Sequence, residues 1–73
     1  MITDDLVIRI LQQQPLLTKV IRNRLYYDYQ LDIEGSKLRR YLRQMQKRNI
    51  VTQTLHKNEL TWRLNESYNN RKS

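Results

Sequence analysis

The sequence predicts an α+β fold in which three helices are followed by a two-stranded β-hairpin. Three observations carry the prediction. In the stretch GSKLRRYLRQMQKRNIV, from Gly35 to Val51, Leu38, Leu42 and Met45 recur at i, i+4 and i+7 with Tyr41 beside them, which at about 3.6 residues per turn sets all four along one helical stripe. Two earlier segments show similar spacing, each preceded by a threonine suited to cap a helix. Beyond Asn49 the period changes: IVTQTL and LTWRL alternate in the manner of strands around a polar tip, His56 to Glu59.

The first helix starts at Thr3, an N-cap followed by Asp4 and Asp5, whose carboxylates suit the positive end of the helix dipole. Leu6, Val7, Ile10 and Leu11 supply its apolar stripe, and Ile2 is placed to staple onto Leu6 or Val7. Pro15 disfavours helical geometry in the residue before it, so this helix is expected to end near Gln13, with the three glutamines as an exposed end. Leu16 and Leu17 then read as a short extended piece returning to the core. With Thr18 as the next N-cap, TKVIRNRLYYDY forms a second helix, with Val20, Ile21 and Leu25 inward and Lys19, Arg22 and Arg24 outward, ending between Tyr26 and Tyr29. Three roles are open to Tyr26, Tyr27 and Tyr29: completing the core, making a partner surface or stacking on bases. Tyrosine buries well with its hydroxyl left wet, so packing is the first expectation.

In the third helix Ser36 is the expected N-cap and Asn49 the left-handed residue at its end. Ile50 and Val51 lead into the first strand. Val51, Gln53 and Leu55 share one of its faces, and Leu60, Trp62 and Leu64 share one face of the second. Two strands alone are marginal in water, so the hairpin must lie on the helices, with Trp62 as its anchor. Residues 1–64 are expected to form the domain. NESYNNRKS, residues 65–73, is almost without apolar content and reads as a flexible basic tail.

Seventy-three residues are enough for one small core, not for a catalytic cleft beside a separate binding module. With no cysteine, thiolate metal sites and thiol nucleophiles are excluded. His56 stands alone in a polar turn, Asp4 and Asp5 read first as a helix start, and Gly35 is the only glycine, so no phosphate-cradling loop is present. No enzymatic activity, metal or cofactor is expected. No apolar run approaches the ~18 residues needed to span a bilayer, and no export signal is evident, so a cytoplasmic location is expected.

What the sequence has in excess is positive charge. Net charge is +7, and six of the fourteen Lys and Arg residues lie between Lys37 and Arg48. Ser36, Arg40, Arg43 and Lys47 project opposite the apolar stripe, with Lys37 and Arg39 flanking them. A charge run on a helix is usually only a solvated face, but such faces carry mixed signs at i, i+4. Here Arg39 with Arg43, and Arg43 with Lys47, repel at that spacing, each pair costing a few tenths of a kcal/mol (about 0.2–0.5). A sequence that accepts the repulsion points to an external polyanion.

The order of elements resembles the winged helix-turn-helix domain of transcription regulators. TKVIRNRL, Thr18 to Leu25, is similar to the family's second helix, with Ile21 and Leu25 at its core positions. IEGSKLRRYLRQMQKRNIV, Ile33 to Val51, resembles the recognition helix and its turn into the first wing strand, and LTWRL resembles the returning strand, with Trp62 where an aromatic is common. The likeness covers residues 3 to 64 as a pattern of residue types. Arg22 stands where the family commonly has a small residue, the turn between Leu25 and Leu38 is longer than usual, and Asn49 replaces the commoner glycine. In size the chain is most like the short single-domain regulators of phage, plasmid and fimbrial operons.

The resemblance implies sequence-specific binding of double-stranded DNA, with the third helix in the major groove. Ser36, Lys37, Arg39 and Arg40 would meet base edges, while Arg43 and Lys47 hold phosphates. Lys19 and Arg22 would grip the flanking backbone, and His56 and Lys57 at the wing tip would reach the minor groove. So small a footprint calls for a homodimer, adjacent copies or a partner protein. Two alternatives stand beside this reading. One is a winged-helix protein-interaction module, a phage or plasmid accessory factor docking on a host complex through the tyrosines and the hairpin. The other is RNA binding, for which the hairpin lacks an exposed aromatic platform.

Overall fold

The computed structural model describes residues 1–66 and has the predicted α+β topology of a winged helix-turn-helix: α1 (Asp4–Leu11), α2 (Thr18–Tyr29), α3 (Gly35–Lys47), β1 (Val51–His56) and β2 (Glu59–Leu64). The tail expected over residues 65–73 lies, from residue 67 onward, outside the described residues. No helix among the described residues is long and apolar enough to cross a membrane.

One core joins all five elements. Val7, Ile10 and Leu11 from α1, Ile21 and Leu25 from α2, and Leu38, Leu42 and Met45 from α3 are buried together with Leu16, Ile50, Val51, Trp62 and Leu64. Trp62 is the anchor that the alternation predicts, at 1% exposure. Leu16 pairs with it in the manner of a strand, each residue's N–H donating to the other's carbonyl at 2.9 and 2.8 Å. The extended piece after Pro15 therefore adds a one-residue third rung to the hairpin. It also brings Thr18 under the indole, whose Nε1–H donates to Thr18 Oγ1 at 2.9 Å.

That contact corrects one expected cap. Leu17, extended at φ −71° and ψ 155°, is the N-cap of α2, and the Thr18 hydroxyl satisfies a buried indole instead of the helix end. Thr3 does cap α1, its Oγ1 accepting from Leu6 N–H at 3.4 Å. The first helix ends at Leu11, two residues short of the expected Gln13. Ser36 is likewise displaced from its expected capping role. Leu38 N–H donates to the Glu34 carbonyl at 2.9 Å, so Glu34 is the N-cap, Gly35 the first helical residue, and Ser36 lies inside the first turn. Glu34 makes no side-chain cap bond, but its carboxylate sits at the positive end of the dipole.

The end of α3 follows the sequence closely. Asn49 takes φ 63°, Ile50 N–H donates to Met45 O and Asn49 N–H to Gln46 O, both at 3.0 Å, which together form a Schellman motif. Ile50 and Met45, the apolar pair that accompanies the motif, are both buried. The register of the hairpin runs from Val51 opposite Leu64 to His56 opposite Glu59. Asn65 N–H donates to Ile50 O at 2.9 Å, one further step along it. Lys57 and Asn58, both at positive φ, close the hairpin in the left-handed pair that a two-residue type I′ turn requires.

The tyrosines separate. Tyr29, four residues after buried Leu25, packs half-buried on the core. Tyr26 and Tyr27 do not follow the expectation of packing: they are 51% and 73% exposed, because the positions directly after Leu25 point away from the stripe that carries Ile21 and Leu25.

Candidate nucleic-acid interface

The site is built from α3 outward. Burying Leu38, Leu42 and Met45 fixes the rotation of the helix about its axis, and the same 3.6-residue period sends Ser36, Arg40, Arg43 and Lys47 to the far side. All four are exposed, as are Lys37, Arg39 and Gln44. The expected α3 residues therefore form one surface. Gln44 was not among the expected residues, although its place one turn after Arg40 sets it on the same side; its amide offers both a donor and an acceptor.

Five cations of this face, Lys37, Arg39, Arg40, Arg43 and Lys47, have no carboxylate within ion-pairing distance among the described residues. The one ion pair among those residues belongs to Arg48. Its guanidinium donates two hydrogen bonds to Asp4, Nη1 to Oδ2 at 2.8 Å and Nη2 to Oδ1 at 3.2 Å, and the Tyr41 hydroxyl donates to Asp4 Oδ1. Arg48 falls seven residues after Tyr41, two turns on the same side, so it turns toward α1 and leaves the cationic face. The Arg48 and Tyr41 hydrogen bonds hold the Asp4 carboxyl below its ordinary value. Burial, with the bond to Asp4, pushes the Tyr41 hydroxyl up to about 12.

The flanking residues fall on two other elements. Lys19 and Arg22 are exposed on α2, and His56 and Lys57 are exposed at the hairpin turn. Arg22 has a structural task as well: its Nε–H donates to the Ile33 carbonyl at 2.7 Å. Five residues, Gln30 to Glu34, connect α2 to α3, and the left-handed Gln30 at φ 53° ends α2. The guanidinium spans from helix to connection and so ties the Gln30–Glu34 segment to α2.

Among the described residues no group of three His, Cys, Asp or Glu side chains is close enough to hold a metal ion. The guanidinium and ammonium groups on the exposed side of α3 offer many hydrogen-bond donors. No protein-family model, no curated protein and no solved structure matches this chain.

Proposed function

We propose that this protein binds double-stranded DNA with sequence preference, inserting α3 into the major groove, and acts as a small transcription regulator. The observation that carries the reading is the face of five exposed cations on α3 with no carboxylate partner among the described residues. The major groove, about 12 Å wide, admits one α-helix. Ser36, Lys37, Arg39 and Arg40, in the N-terminal half, then meet base edges, an arginine forking onto a guanine. Gln44 is chemically suited to an adenine. Arg43 and Lys47 hold phosphates, Lys19 and the outer nitrogens of Arg22 grip the adjoining backbone, and His56 and Lys57 reach the minor groove.

Affinity for duplex DNA measured across a salt series tests the proposal. Each phosphate contact contributes about 0.9 to the slope of log K against log salt. Arg43→Ala is expected to lower that slope by about one and weaken all sequences alike, whereas Arg40→Ala costs about 1–3 kcal/mol on the preferred sequence and relaxes the preference. Unchanged affinity in both variants ends the reading. The exposure of Tyr26 and Tyr27 favours a second reading, a protein-docking module whose α3 face meets an acidic protein surface. In that case Tyr27→Ala abolishes capture of the partner, and duplex DNA is not bound even at low salt.

A further inference from the structure

Among the described residues Arg48 is the one cation near α3 that already has a carboxylate partner. Four residues after Gln44, it continues the edge of the cationic face, and seven after Tyr41 it also continues the row turned to α1. Which of the two it joins is decided by Asp4. Both Nη atoms of Arg48 are engaged by that carboxylate, at 2.8 and 3.2 Å, and the Tyr41 hydroxyl donates to Asp4 Oδ1, which pins the carboxylate against α3. The pair is not sealed from solvent: the Arg48 side chain is 51% exposed and that of Asp4 31%.

An arginine takes a carboxylate and a phosphate in the same two-bonded fork. Asp4 therefore offers Arg48 the geometry that a duplex backbone would offer. The neighbouring acid does not. Asp5 is exposed in the same first turn of α1 and has no ion pair among the described residues. We propose that Asp4 is an autoinhibitory positioning residue, which stands in for a phosphate and withholds Arg48 from the duplex.

Bound DNA then meets the five cations of α3 that have no carboxylate partner among the described residues, and not a sixth. A phosphate contact adds affinity to every sequence and carries no base information, so withholding one weakens binding to preferred and unrelated DNA alike. The target of the withheld arginine rests on the duplex reading above; the hold of Asp4 on it does not.

Comparison of Asp4→Asn with Asp5→Asn tests the proposal. Each raises the net charge by one and removes one carboxylate from the first turn of α1, but only Asp4→Asn frees Arg48. An exposed pair contributes little to stability, so both variants are expected to fold and are compared well below their melting points. On duplex DNA across a salt series, Asp4→Asn is expected to steepen the slope of log K against log salt by about 0.9, so that its affinity relative to wild type grows about eightfold for each tenfold fall in salt. The gain is the same on preferred and unrelated sequences. Asp4→Ala, which leaves no acceptor at the position, should match Asp4→Asn, whereas Asp5→Asn keeps the wild-type slope. With Arg48→Ala added to each, the Asp4 and Asp5 variants are expected to coincide. Equal slopes for the Asp4 and Asp5 variants, or a difference that survives Arg48→Ala, overturn the proposal. Elution from phosphocellulose, a polyanion without a groove, separates this outcome from the reading of α3. There Asp4→Asn should need more salt than Asp5→Asn at equal net charge, and elution together overturns the hold on Arg48 whatever the duplex does. If the resin distinguishes the two variants while wild type binds no duplex even at low salt, the reading of α3 falls and the withheld arginine stands.

Discussion

Asp4 ties the two ends of the helical layer together: its carboxylate accepts from Arg48, 44 residues later in the chain, and from the Tyr41 hydroxyl. Because the Asp4 carboxyl is held below 3.8, its stabilisation is complete above the ordinary carboxylate range and is lost as pH falls through the lowered value. Tyr41 works in the opposite direction. Its hydroxyl is raised from 10.0 to about 12, so its share is complete below pH 10.0 and is lost as pH rises through about 12. Tyr41→Phe removes the hydroxyl and keeps the ring. This variant is expected to be less stable at neutral pH by about 1 kcal/mol, the net worth of a partly exposed hydrogen bond to a charged group. It should also lack the part of the wild-type decline between pH 10 and 12 that Tyr41 causes. Denaturation midpoints measured for both proteins from pH 3 to pH 12 check this. Parallel curves above pH 10 would show that the hydroxyl does not titrate with folding.

At the scale of an element, α3 starts with a residue chosen for nothing its side chain does. Gly35 is helical, has no positive φ, and a Cβ built on it meets nothing within 4 Å. Gly35→Ala therefore reduces the freedom of the unfolded chain at no steric cost, and stability is expected to rise by about 0.5 kcal/mol, seen as a melting point higher by about 2–4 °C. A lower melting point would mean that the helix does not begin where Glu34 caps it. The sequence made the type and order of every element legible, because period, Pro15, Asn49 and the polar hairpin tip are local signals. The caps of α2 and α3 were not legible. Whether Thr18 caps a helix or satisfies an indole depends on Trp62, 44 residues away, and Leu17 is extended because its neighbour Leu16 pairs with that same tryptophan. The exposure of Tyr26 and Tyr27 lay within reach of the helical period, counted from Leu25. So did the departure of Arg48 from the cationic face, counted from Tyr41; only its partner Asp4 was beyond local reading.

For the whole molecule the decisive property is where the charge stands, not how much of it there is. The chain carries +7, yet the stretch from Leu25 to Ser36 contains only acids, and Arg48 is drawn toward α1 by Asp4. Binding driven by total charge and binding driven by one face therefore diverge in a single comparison. Arg43→Ala and Arg48→Ala remove the same unit of charge from the same helix region, one from the exposed face and one from the side turned to α1. If a duplex is held by the face, Arg43→Ala lowers the salt slope by about one while Arg48→Ala leaves it near the wild-type value. Arg48→Ala affects folding instead, through Asp4, and its melting point falls while that of Arg43→Ala does not, since Arg43 loses only its repulsion with Arg39 and Lys47. Measuring both quantities on both variants, well below their melting points, crosses the two effects. Equal slopes would mean that the duplex senses the net charge of the chain, and α3 would then have no privileged place in the groove.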